Sequence, residues 1–220
     1  MAVIVSDSFA AYADGALPTV SGGVYAKPSD WPNPIAIASH LAKGTASGDN
    51  ACYLSSYAGS AVAQWAAVTV ATHDDFMGPT VFNSAVGDFY FWDVRSGGWQ
   101  VYRVRSNQVF TAIASGGWGT NPAPGDVFQL EAVIVAGDPT LTVRKNGVNL
   151  WVVTDSPVGK ILSGVPGLRL WNTGARVSKF EAGDFAVTPP AGGAGEDRTR
   201  LALEPTFALS AAPLLGGGFA

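Results

Sequence analysis

The sequence predicts an all-β domain, a sandwich of two antiparallel sheets, and three observations carry that prediction. Glycine (27) and proline (14) are spread along the length, as many short strands joined by turns require. No convincing amphipathic helix interrupts the apolar segments between those turns. At 220 residues, with seven tryptophans and eleven phenylalanines, the chain can bury a large core and has no disordered composition in its main body.

Taken in order, the candidate strands are Val3–Phe9, Ile35–Leu41, Ala51–Tyr57, Gln64–Thr72, Thr80–Asn83, Asp88–Val94, Trp99–Arg105 and Gln108–Ala114. Then come Val127–Val135, Thr140–Lys145, Val148–Thr154, Gly167–Trp171 and Val177–Val187. Segments at this spacing fit a two-sheet sandwich. The sharpest local signal is LTVRKNGVNLWVVTD, where Leu141 and Val143 alternate with Thr142 and Arg144 and the chain returns after Asn146-Gly147. Asn-Gly accepts the positive φ of a type I′ hairpin turn. Trp65, Trp151 and Trp171 lie inside strands and read as core, and the single cysteine, Cys52, reads as a small buried hydrophobe. SGGW occurs at Ser96–Trp99 and again at Ser115–Trp118, as two similar turns without a longer period around them.

Composition excludes several roles. Charged residues make up 14% of the chain and the net charge is −4, so there is no basic footprint for nucleic acid. No run of eighteen apolar residues is present, so no membrane-spanning helix is expected. MAVIVSDSF lacks a basic leader, which predicts a protein folded in a cytosol without a secretory signal.

Three blocks resemble a known superfamily. SDSFAAYADGALP is similar to the opening strand and loop of concanavalin A-like (laminin G-like) jelly rolls. VFQLEAVIVAGDPTLTVRKNGVNLWVVTDS with GVPGLRLWNTGARVSKFEAGDF resembles the end of that fold, and GPTVFNSAVGDFYFWDVRSGGWQVYRVRSNQ its middle strands. The resemblance covers about residues 3–187 and implies a jelly-roll sandwich. The superfold hosts lectins, glycosidases and structural modules, so it does not decide activity. It also recurs in structural proteins of tailed bacteriophages.

Each activity has a residue requirement. The resemblance implies that a glucanase would carry Glu-x-Asp-x-Glu or Glu-x-Asp-x-x-Glu, two carboxyls aimed at one bond. The four glutamates, Glu131, Glu181, Glu196 and Glu204, lack a second acid in that register. An unmatched pair such as Asp93 with Asp88 is the alternative, and carboxylates of surface turns are its ordinary explanation. His40 and His73 are the only histidines and no Gly-x-Ser-x-Gly elbow occurs, so no enzyme is predicted. No cofactor is implied, and calcium is the one metal the pattern allows, at Asp74 and Asp75 of THDDF. For glycan binding, which needs exposed aromatic faces, the candidates are Trp99 and Trp118 after their Gly-Gly turns and Trp31 in SDWPNP.

The composition changes at Pro189. We place the jelly-roll domain at 1–188, a Pro/Gly linker (PPAGGAGEDRTR) at 189–200 and an apolar C-terminal arm at 201–220. Leu201, Leu203, Phe207, Leu209, Leu214, Leu215 and Phe219 are its candidate anchors, each contributing about 1.5–3 kcal/mol if buried on a partner. The leading expectation is therefore a non-enzymatic virion structural protein, a bacteriophage head-decoration or tail-associated protein. It would form a homo-oligomer and hold other virion subunits through this arm. A carbohydrate-binding module for surface glycans is the alternative and a glycoside hydrolase a distant third.

Overall fold

The computed structural model describes residues 1–185, apart from Asn107 and Gly119. The proposed linker and arm lie outside the described residues, including Leu201, Leu203, Phe207, Leu209, Leu214, Leu215 and Phe219.

The first strands are β1 (Ala2–Asp7), β2 (Gly15–Ala16), β3 (Tyr25–Ala26), β4 (Ile35–Ala38), β5 (Leu41–Gly44) and β6 (Asn50–Leu54). The middle of the chain forms β7 (Ala63–Thr72), β8 (Met77–Asn83), β9 (Phe89–Arg95), β10 (Gly98–Arg105) and β11 (Val109–Gly117). The last are β12 (Val127–Val135), β13 (Asp138–Lys145), β14 (Val148–Thr154), β15 (Val165–Leu170) and β16 (Arg176–Asp184). One sheet has the order β14-β13-β12-β7-β16-β5-β4-β2, with β1 also on β16. The other runs β11-β10-β9-β8-β15-β6-β3. The named strand pairs are antiparallel, and the result is the expected all-β, two-sheet antiparallel jelly-roll sandwich.

Local chemistry explains where the strands begin and end. The hairpin between β13 and β14 turns on Asn146 (φ 52°) and Gly147 (φ 79°), the type I′ pair foreseen from the sequence. Asn146 Oδ1 also accepts the Val127 N–H at 2.8 Å, which ties the turn to β12. The expected single strand Ile35–Leu41 is instead two, β4 and β5, because Ser39 and His40 both take positive φ (52° and 61°) and reverse the chain. His40 is thereby a turn residue. Leu17–Val20 forms a one-turn helix with proline in its first turn.

Between the sheets lies the core, which includes Phe9, Val68, Trp92, Phe128, Leu168 and Phe180. Trp65 and Cys52 are buried as expected. Trp151 is not core: β14 is an edge strand, and the indole is 54% exposed.

Candidate functional site

Strand alternation builds the site on the outer face of the seven-stranded sheet. In β9, FYFWDVR, Tyr90, Trp92 and Val94 join the core between the sheets. Phe89, Phe91, Asp93 and Arg95 therefore point outward. Cross-strand pairing sets Val104 beside Phe89, Tyr102 beside Phe91 and Gln100 beside Asp93. In β15, Leu168 and Leu170 are core, so Arg169 faces outward and lies opposite Gly78 of β8. That glycine is required by close approach: a Cβ there would stand 2.0 Å from the Trp92 carbonyl oxygen. Trp31, from the loop before β4, packs on Phe89 and Phe110 and completes a second aromatic cluster outside the sandwich core.

Arg169 is buried in this cluster. Its Nε donates to Asp49 Oδ1 at 2.8 Å, and Nη2 makes a second contact to the same carboxylate. The guanidinium lies 4.6 Å from the Phe91 ring centroid, 5.0 Å from Phe110, 5.5 Å from Trp171 and 5.6 Å from Trp31. A delocalised cation is attracted to aromatic faces, so rings and one carboxylate together offset its desolvation. Burial still pulls its pKa below the usual arginine value, against the attraction of Asp49 and Asp93.

Asp93 has a different environment. It is 1% exposed. Its Oδ2 accepts from Arg95 Nε at 2.7 Å, whereas its buried Oδ1 has no protein partner. Burial pushes the carboxyl up to about 6, with Arg169 and then Arg95 opposing that rise. Arg95 in turn donates from Nη2 to the Tyr102 hydroxyl at 2.7 Å, and that hydroxyl donates to Gln100 Oε1. The Arg95 guanidinium also lies over Phe76 at 4.5 Å. Phe76 itself adopts φ 65°, a conformation that costs energy in a non-glycine residue, and its ring sits 5.7 Å from that of Trp171.

These side chains enclose a cavity of about 180 Å³ lined by Phe76, Asp93, Arg95, Tyr102, Phe110, Arg169 and Trp171. A second, more open hollow of about 330 Å³ adjoins it through Arg95 and is floored by the β9–β10 turn and by Ser115-Gly116. The first hollow combines ring faces, one buried acceptor and shared cationic donors. That set offers a ligand stacking surfaces, one acceptor and cationic donors.

The tryptophans chosen from the sequence fall around the site without offering free faces. Trp99 is buried on the inner face, edge-on to Trp92, and a Cβ on Gly116 would touch its ring. Trp118 is half-buried against Trp92 and Phe128, and its Nε1 donates to the Arg95 carbonyl at 2.8 Å. Trp31 is buried and supports Arg169. The accessible face belongs to Trp171, which is 37% exposed and was expected in the core. Leu168 and Leu170 pointing inward already imply that Arg169 and Trp171 point outward, and that parity was the signal available in the sequence.

The other candidates do not assemble. Asp75 Oδ1 accepts the Ser96 N–H at the β9–β10 turn, and Asp74 Oδ1 accepts the Asp75 N–H at 2.9 Å. Among the described residues no group of three His, Cys, Asp or Glu side chains is placed to hold a metal ion, and calcium at Asp74 and Asp75 would have to draw its other ligands from carbonyl, amide or water oxygens. His73 is partly buried beside them, and burial holds its pKa below the usual value. Asp88 is engaged by Arg105 Nη1 at 2.9 Å and by the Ser106 N–H. Five residues of extended chain place it about 16 Å from Asp93, beyond the ~5–9.5 Å between the carboxyls of a glycosidase. Glu131 is paired with Arg144.

No family model matches the chain, and no curated protein matches it. Solved structures do. The carbohydrate-binding module CBM66 from Bacillus subtilis superposes with a TM-score of 0.52 at 13% identity, covering 73% of this chain and 92% of that one. A legume lectin-like domain from Entamoeba histolytica gives 0.49 at 11% identity, covering 76% and 93%. The VIP36 exoplasmic/lumenal domain in a Ca2+/Man-bound form gives 0.49 at 10%, covering 74% and 84%. At these identities the likeness is one of fold.

Proposed function

We propose that the domain binds glycans, taking one sugar ring in the cavity between Trp171 and Asp93. The observation that carries this reading is the meeting of an accessible indole face with a buried carboxylate oxygen that no protein donor satisfies. A pyranose offers both counterparts, an apolar C–H face for the ring and a hydroxyl for the carboxylate. An unpaired buried acceptor costs about 1–3 kcal/mol, which a ligand hydroxyl would recover. Arg95, common to both hollows, supplies donors to either. The fold shared with a carbohydrate-binding module supports the same chemistry.

We read the site as one for binding and not for hydrolysis. Asp93 is the one carboxyl in the cavity lining among the described residues, and glycoside cleavage needs two. The virion role expected from the C-terminal arm draws no support from the described residues or from the structural likenesses.

The test is a glycan array followed by calorimetry on the best hit. Trp171→Ala and Asp93→Asn are each expected to weaken binding at least tenfold, about 1.4 kcal/mol, while circular dichroism shows a folded protein. An array without hits, or undiminished affinity in both variants, would overturn the proposal.

A further inference from the structure

The two sides of the sandwich end differently. On one side the terminal strands are β2 and β3, each of two residues. On the other they are β11, nine residues long, and β14, seven residues long. Neither long edge strand carries a charged residue. Short strands and edge charges are the usual protection against pairing with another chain, and here only one side has it.

β14 is also apolar on both faces. Its register with β13 sets Val153 opposite Leu141 and Trp151 opposite Val143, which directs both side chains toward the gap between the sheets. Trp151 is nevertheless 54% exposed, Val152 on the opposite face 53% and Val148 64%. Val158, almost fully exposed, and Leu162 follow in the next loop. Leu150, 36% exposed, adds to this row, and uncovered apolar side chains along an uncharged edge strand mark a surface that another chain can cover.

We propose that β14 pairs with β14 of a second copy of this chain, antiparallel about a two-fold axis at Val152. The strand is complementary to itself in this register. Trp151 then faces Val153 of the other copy, an aromatic and β-branched cross-strand pair of the favoured kind. No like charges meet along the strand, because it has none. The irregularity between Val143 and Arg144 in the β13 pairing leaves Trp151–Thr154 as a regular stretch, and Trp151–Val153, symmetric about Val152, is the part of it that pairs. A two-fold axis uses the same patch twice and closes the assembly at two subunits.

Sedimentation velocity on the full chain, from micromolar to submillimolar concentration, tests the proposal. A dimer is expected, and Val152→Lys, which sets two ammonium groups against each other, should yield a monomer with the wild-type circular dichroism spectrum, its melting temperature lowered only by the lost, concentration-dependent contribution of dimerisation. If that variant fails to fold, Val152→Cys decides. Under mild oxidation it should form a disulfide-linked dimer, while wild type gives none because Cys52 is buried. A wild-type monomer at every concentration overturns the proposal and leaves the strand to another occupant. A dimer that survives Val152→Lys, or one that Val152→Cys cannot cross-link, overturns it as well.

Discussion

Two buried carboxylates lie on either side of the seven-stranded sheet, and their surroundings differ in one respect. Asp155 belongs to the inner side. The Tyr90 hydroxyl donates to its Oδ2 at 2.6 Å, and Arg103 Nη1 reaches Oδ1 and Oδ2 at 3.0 and 2.9 Å. The Tyr90 hydroxyl also accepts the Ile161 N–H, so that network is closed. Burial drives the Tyr90 phenol far above its ordinary range, with the Asp155 hydrogen bond adding to the rise. Asp93, on the outer side, has Arg95 on one oxygen and nothing from the protein on the other. A closed network holds a loop in place, whereas an open one is available to a ligand. The same strand, β9, carries Tyr90 on one face and Asp93 on the other.

The comparison breaks most sharply through size and packing. Trp92 is wholly buried among Trp99, Trp118 and Phe128, with centroids 6.4, 6.2 and 5.3 Å away. Trp92→Ala should cost about 3–5 kcal/mol in guanidinium unfolding. Trp171→Ala, on the open face, should cost about half as much or less, because over a third of the residue is already exposed to water. Equal losses in the two variants would mean that the outer cluster is a second core and not a site.

Asp155→Ala comes next. It strands the Arg103 guanidinium and the Tyr90 hydroxyl together, and breaking such a buried pair costs about 3 kcal/mol. The same change should leave glycan affinity within twofold of wild type. A binding loss as large as that of Asp93→Asn would show that the two networks are coupled through β9.

How much of this the sequence discloses depends on parity. LTVRKNGVNLWVVTD alternates around an Asn-Gly pair, and its turn and the bounds of β14 are legible in the sequence, whereas the start of β13 at Asp138 and the register irregularity at Val143/Arg144 are not. FYFWDVR does not alternate, because both faces of β9 are buried, so nothing in its pattern tells Phe91 from Trp92. The outward set Phe89, Phe91 and Asp93 becomes visible only through the ladder with β10. The sequence offers Asp93 only as a partner for Asp88, and nothing in its pattern singles out Arg95. Their environment is set by Arg169, seventy-odd residues away in the chain, and by Trp31 from a loop. Gly-Gly turns pointed to Trp99 and Trp118 as exposed. In the structure the glycines serve close packing: Gly116 lies against the Trp99 ring. The short strands β2 and β3 leave no trace in the sequence because two residues carry no period.

The smallest effect is the most specific. Asp93 titrates at about 6 in the folded protein and near 3.8 in the unfolded chain. Between those values the native state holds a proton that the unfolded state releases, so stability falls as pH rises from about 4 to about 6. Above 6 the full penalty stands, at most about 3 kcal/mol. Asp93→Asn removes the titration. The variant should therefore be the more stable protein at pH 7.5, by less than that amount because the amide leaves bonds of its own unmet. The gap should close toward pH 4.5, as guanidinium melts at the two pH values would record. A variant less stable than wild type by the same margin at both would refute the assignment. Ligand binding should follow the opposite course. The ionised oxygen is the better acceptor for a sugar hydroxyl, so wild-type affinity should fall as the pH drops through 6. The residual affinity of Asp93→Asn should stay flat. Stability given up by an unpaired carboxylate would thus reappear as affinity, which Asp155, with both oxygens already bonded, has no means to supply.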